Sequence, residues 1–391
     1  MGELRAMDRV AVEPELLSWA LERSRKSPDE LKRRQPCKRI DKWLAGEVHP
    51  TFRQLEDFAT ATATPFGYFF LPEPPEETLP IPDFRTLSQE TVRRPSADLI
   101  ETLYTMQRRR DWLREVLIEE DAEPLDFVGS ARLSDPPESI GREMRRIVGL
   151  EGGWADEVCT WTEAVSELRR AIEELGVVAV INGVVGNNTH RKLDVEEFRG
   201  FALCDAYAPL IFVNGADYKS AQMFTLAHEL AHLWLGREGI SGFEGIVAGG
   251  SDVEKFCDAA AAEFLIPARE LRALWPAVAR NTRPFETVAR QFKVSPIVAA
   301  RRAWDLDLID RERFFGFYRE YTAEEHRKKA AGAGGGDFYN NQNTRVGERF
   351  ASEVVRAAKE GRIQFRDAYS LTGLYGAAFR KYVQHLGFDL L

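Results

Sequence analysis

The chain has 391 residues, a net charge of −9, and hydrophobic and charged shares of 44% and 29%. That is the composition of a globular protein with room for roughly two to four domains, and its negative balance excludes general nucleic-acid affinity for the whole molecule, though not for one segment. No apolar run of roughly 18 residues is present to span a membrane, and the opening MGELRAMDRVAVEPELL lacks a signal-peptide core. Cys37, Cys159, Cys204 and Cys257 lie far apart without C-x-x-C spacing, so a reducing cytoplasm is the expected setting.

Short helices come first. Ser27-Pro28-Asp29-Glu30 is a capping box with proline at the first helical position, and Thr51-Phe52-Arg53-Gln54 is a second box, opening a helix with Leu55, Phe58 and Ala59 inside. Between them Ile40, Trp43 and Leu44 suggest a helix ended by Gly46. Residues 21–53 hold ten Lys or Arg against five Asp or Glu. With the phrase WLAGEVHPT, the pattern resembles the Xre-type helix-turn-helix. The turn and the start of the recognition helix are squeezed into Gln35-Pro36-Cys37-Lys38, which leaves Lys38, Arg39 and Lys42 for phosphates and few residues to read bases. At most weak DNA binding is expected of this domain, and a packing or partner-binding role stands beside it.

Residues 72–84 carry five prolines and read as a stiff linker. Residues 95–118 place Leu99, Leu103, Met106, Leu113 and Leu117 on one face of a long helix, with Arg108-Arg109-Arg110 read as a solvated face. Helices are also expected at 137–149 and 160–175. Val177–Ile181 reads as a buried strand; 200–204 and 210–213 read as a strand pair, and an exposed edge of this small sheet could accept an extended peptide.

Next comes Phe224–Gly236, FTLAHELAHLWLG, which contains H-E-x-x-H in a chain with only six histidines. Ser220 is a candidate cap and Gly236 a left-handed stop, so the segment reads as a helix. At 3.6 residues per turn His228 and His232 share a face, where two imidazoles can bind one Zn²⁺. Glu229, one position round, can serve as general base toward an activated water. The bland alternative is a buried amphipathic helix, with Leu226, Leu230, Leu233 and Trp234 as its core.

A third ligand is needed. The next helix, Ser251–Pro267, offers Glu254, with Asp258 on the same face to accept the other ring N–H of a ligand histidine. Ser251-x-x-Glu254 is also a capping box, which would leave Glu254 a cap only. Cys257 is a further candidate. Glu263, nine residues after Glu254, falls on the opposite side. Tyr207 or His190 could donate to an oxyanion. His49, His190, His326 and His385 have no metal spacing.

FTLAHELAHLWLG followed by EKFCDAAAAEFLIP, with EFRGFAL and IFVNGA upstream, resembles the ImmA/IrrE family of metallo-endopeptidases over about residues 160–275. The PFGYFFLPEPP linker and the N-terminal helix-turn-helix look like a common arrangement of that family. The resemblance implies a gluzincin-like fold, His228, His232 and Glu254 as zinc ligands, Glu229 as base, and a repressor or antitoxin-like regulatory protein as substrate.

Residues 285–303 have the cadence of another helix-turn-helix, expected here as scaffold. Ala330–Gly336 reads as a flexible break, and 344–388 as a small helical tail. The expected protein is thus α+β and predominantly helical: residues 1–72 a five-helix Xre-like unit, 73–158 linker and helices, 159–275 a zincin-like peptidase with a small sheet, 276–329 a helical extension, and 330–391 a linker and C-terminal module. The rival expectation is a non-catalytic regulator that binds DNA or an antitoxin-like partner and keeps the zinc domain as sensor or scaffold. Glu229 favours the enzyme, since a scaffold needs no base.

Overall fold

The structure is a computed structural model that describes residues 9–33, 35–82, 94–150, 152–241, 251–329 and 338–389. The described residues divide into two units, 9–80 with 94–104, and 81–82 with 105–389. The protein is α+β and predominantly helical. The flexible break expected at 330–336 lies outside the described residues.

The first unit holds α1 (Pro14–Ser24), α2 (Pro28–Lys32), α3 (Ile40–Leu44) and α4 (Phe52–Ala61), with 3₁₀ turns at Gln35–Cys37 and Phe66–Phe70. Both expected capping boxes form: the Ser27 and Thr51 hydroxyls accept from the N–H three residues on, and Glu30 and Gln54 reach back. Gly46 adopts φ 69° just past α3, the left-handed stop its position predicts. A single 3₁₀ turn stands at the compressed site, followed by a five-residue α3 whose Ile40 and Trp43 point into the core with Leu55 and Phe58.

Helix α5 (Ala97–Glu119) leads into the second unit. There α6 (Pro137–Val148), α7 (Trp154–Glu157) and α8 (Trp161–Glu174) precede β1 (Val178–Asn182), β2 (Val184–Val185), β3 (Asn188–Lys192), β4 (Gly200–Leu203) and β5 (Leu210–Asn214). After α9 (Lys219–Leu235), β6 (Gly239–Ser241) and α10 (Asp252–Leu265) come α11 (Ala268–Val278), α12 (Pro284–Phe292), α13 (Pro296–Asp305), α14 (Arg311–Lys329), α15 (Phe338–Val346), α16 (Glu348–Lys359), α17 (Phe365–Thr372) and α18 (Gly376–His385). Four strands form one sheet in the order β1-β5-β4-β6, with β1 parallel to β5 and the other pairs antiparallel; β2 and β3 form a separate hairpin.

The strands β1, β4 and β5 are buried at every position, which is why they read as unbroken apolar runs rather than alternating ones. Helix α9 packs across β4 and β5, with α8 and α10 beside it. Helix α6 crosses α10 so closely that a Cβ on Gly141 would stand 2.5 Å from the Ala260 carbonyl. The alanine run of α10 therefore serves two neighbours, α9 and α6. Helices α12 and α13 contribute Phe285, Val288, Phe292 and Ala300 to the same core as the sheet.

One expectation for α5 is overturned. Arg109 is buried, not solvated. It donates to the carbonyls of Leu371 (2.9 Å) and Arg345 (3.1 Å), and its guanidinium lies 5.6 Å from the Phe350 ring. The reason is register: position 109 lies three after Met106 and four before Leu113, on the apolar face. Helix α15 packs against β1, and Phe350, Val354 and Phe379 of the C-terminal helices are fully buried. No helix among the described residues is long and apolar enough to cross a membrane.

Candidate metal centre

Helix α9 begins about two and a half turns before His228. The candidate cap Ser220 does not cap it; Tyr218 is the N-cap, because the N–H groups of Ala221 and Gln222 both reach its carbonyl at 2.9 Å. The other end stops as predicted, with Gly236 at φ 61°. Exposed carbonyls of the last turn are satisfied by Gly129 N–H on Leu233 O and Ala131 N–H on Trp234 O, each 2.9 Å. The same turn brings the Arg237 carbonyl back to 3.2 Å from His232 Nδ1.

The other imidazole is held from α10, where Asp258 Oδ1 lies 2.9 Å from His228 Nδ1. Both Nδ1 atoms thus face acceptors, so in its neutral form each ring carries its proton there and presents a lone pair at Nε2. The two Nε2 atoms are 3.1 Å apart, so with both rings neutral their lone pairs face each other. Glu254 closes the group, with Oε2 3.3 Å from His228 Nε2 and Oε1 3.1 Å from His232 Nε2. The Oε1 contact is close without being a directed hydrogen bond. Its capping box is only half formed. Ser251 Oγ accepts the Glu254 N–H, but the Glu254 side chain turns to the imidazoles instead of back to Ser251.

This donor set fits a cation. Ligand atoms about 2.0–2.1 Å from a tetrahedral ion stand roughly 3.3–3.4 Å apart, close to all three separations here. Two opposed lone pairs and a carboxylate, all buried, repel one another unless positive charge lies between them. The charges agree. Burial raises the Glu254 carboxyl, but the two imidazoles hold it well below the usual range. Burial works against a charged His228, but Glu254 and Asp258 lift it well above the ordinary value; His232 is lowered by burial. Among the described residues this is the one group of three such side chains that converges.

Glu229 projects beside the group and is fully buried, which pushes its carboxyl up to about 8. Ser241 Oγ on β6 donates to its Oε1 at 2.5 Å, while Oε2 has no partner. Room for the carboxylate comes from β4: a Cβ on Gly200 would stand 2.8 Å from Glu229 Oε1 and 2.7 Å from Thr225 Cγ2. Ser241, Gly200 and the Arg237 carbonyl escaped the sequence reading. Each belongs to another element or to the main chain, so no helical spacing marks it.

The remaining candidates lie elsewhere. Glu263 is paired with Arg302 in a buried contact and accepts the Ala268 N–H at 3.1 Å, which ties α10 to α11 and α13. Cys257 is buried, and burial pushes its thiol well up, a poor state for a ligand thiolate. Among the described residues no hydrogen bond or ion pair links Tyr207 or His190 to the group. His49 and His385 stand outside it, and the His326 side chain lies outside the described residues.

Residues 172–303 match the family model Peptidase_M78, described as IrrE N-terminal-like domain. That stretch contains β1 to β6 and all five residues of the group, His228, Glu229, His232, Glu254 and Asp258. Residues 346–385 match a domain of unknown function, DUF8813, which covers α16 to α18. No curated protein and no solved structure matches the chain. The Peptidase_M78 match and the donor set together support a protease-type function with a bound metal.

Proposed function

We propose that the protein is a zinc-dependent endopeptidase that cuts one specific regulatory protein, a repressor or antitoxin-like partner, in the cytoplasm. What supports this most is the pairing of a converging His-His-Glu donor set with a buried carboxylate that has one free oxygen. Two imidazoles and one carboxylate suit zinc, with His228, His232 and Glu254 holding it and Asp258 fixing the His228 ring. The ion, when bound, supplies Lewis acidity.

The chain's own residues do the rest. Glu229 takes a proton from the attacking water at its free Oε2 and passes it to the leaving amine. Ser241 holds Oε1, so the carboxylate cannot swing away. Burial raises the Glu229 carboxyl, which favours holding the proton until the leaving amine receives it. The Asp258 and Arg237 contacts hold both rings with Nε2 inward. The N-terminal unit is proposed as a partner-docking module with at most weak DNA affinity.

The test is co-incubation of the purified, zinc-loaded protein with the product of the neighbouring gene, followed by mass spectrometry. Cleavage that disappears in Glu229→Gln supports the reading. Zinc-loaded wild type that cuts no partner would favour a non-catalytic regulator.

A further inference from the structure

The sheet ends at β6, next to the candidate base. Within the pair of β4 and β6, Phe201 stands opposite Ile240. The Ile240 N–H is not given to β4; it donates to the carbonyl of Pro82, at 3.2 Å. It therefore points to the outer side of β6, the side on which a further strand would add. The neighbouring residue on the same strand, Ser241, is the one bonded to Glu229. Ile81, just before Pro82, is only 4% exposed, and both residues belong to the peptidase unit rather than to the N-terminal one.

A carbonyl bonded to an outward N–H of an edge strand makes the first contact of strand addition. An extended peptide passing the metal group would compete for this same N–H. We propose that the chain's own segment Ile81–Pro82 occupies the peptide-docking edge of β6, so that the protein as folded is held back until the segment is displaced. This rests on the endopeptidase reading and adds to it how substrate docks and what regulates access. Proline suits the task in one respect: it offers its carbonyl to the edge but has no N–H with which to extend a ladder outward.

The experiment uses the full zinc-loaded chain, wild type and Ile81→Asp, which replaces the buried anchor with a charge. Hydrogen exchange at the Ile240 amide reads the edge directly, with Ile211 in central β5 as the control. A peptide library digested from a denatured cell lysate, analysed by mass spectrometry, reads access. In Ile81→Asp the Ile240 amide should exchange roughly tenfold faster or more while Ile211 is unchanged. Cleavage of library peptides should rise roughly fivefold or more and vanish when Glu229→Gln is added. Unchanged exchange at Ile240 would show that the segment does not cover the edge. Faster exchange with unchanged Glu229-dependent cleavage would show that substrate takes another path. No Glu229-dependent cleavage in either protein would sink the endopeptidase reading and the inhibitory role with it, while exchange at Ile240 would still report the contact. If Ile211 also exchanges faster in Ile81→Asp, the fold has loosened, and Ile81→Ala is read by the same criteria.

Discussion

The Ser241 hydroxyl donates to Oε1 of Glu229 at 2.5 Å, across two elements separated by twelve residues of chain, and leaves Oε2 as the one free oxygen of that carboxylate. A hydrogen bond to a charged group is worth about 1.5–3 kcal/mol. Ser241→Ala should therefore retain zinc but lower turnover roughly 10- to 100-fold, by the same energy in the barrier. Ser241→Thr should restore much of it. Equal turnover in Ser241→Ala and wild type would remove Ser241 from the site.

The two buried glutamates of α10 have separate tasks. Glu254 faces the imidazoles and Glu263 faces Arg302. Glu254→Ala should lose most of the bound metal. Glu263→Ala leaves a buried guanidinium without its partner, at a cost of about 3–5 kcal/mol, but should keep the metal. Plasma emission and thermal unfolding on both variants decide this. Metal lost from Glu263→Ala and kept in Glu254→Ala would reverse the assignment.

Glu173 on α8 gives a pH dependence. Burial pushes its carboxyl from 4.5 up to about 7, despite Arg169 beside it. The folded state then holds the proton more tightly than the unfolded chain does, so this contribution to stability is complete below 4.5 and is lost as pH rises through about 7. Denaturant midpoints of wild type and Glu173→Gln should diverge over that window, the variant gaining relative stability as pH rises. A constant difference from pH 4 to pH 8 would refute the shift.

The N-terminal unit has few residues with which to read bases. Its five-residue α3 buries Ile40 and Trp43, leaving phosphate contacts as the main source of affinity. Fluorescence titration should show at most weak duplex binding that fades steeply with salt. Tight binding to one operator over random duplex at physiological salt would overturn this.

Local rules made much of the centre legible. The i, i+4 register of His228 and His232 follows from helical geometry, and both ends of α9 lay within a turn of their expected places. The choice at Glu254 was open in the sequence because a capping glutamate and a ligand glutamate look alike there; in the structure its side chain turns to the imidazoles and not back to Ser251. Arg109 was misread because three consecutive arginines suggest solvent, while helix register turns the middle one inward. The parallel pairing of β1 with β5, the addition of β6, and the seat of Ile81–Pro82 depend on contacts between distant segments. No local spacing encodes them.

The cysteines turn the fold into its own clock. Cys159 is exposed, Cys204 half-buried, and Cys37 and Cys257 fully buried, and none of the four is in a disulfide. Burial pushes the Cys204 thiol up to about 12, and Cys257 is shifted the same way, so neither presents a thiolate near neutral pH. A thiol reagent should therefore modify one cysteine at once, and the other three only as the protein opens. Cys37 reports the N-terminal core, while Cys204 and Cys257 report the core of the second unit. Labelling followed residue by residue would time the opening of each, and equal rates at all four would mean that the native state offers no such protection.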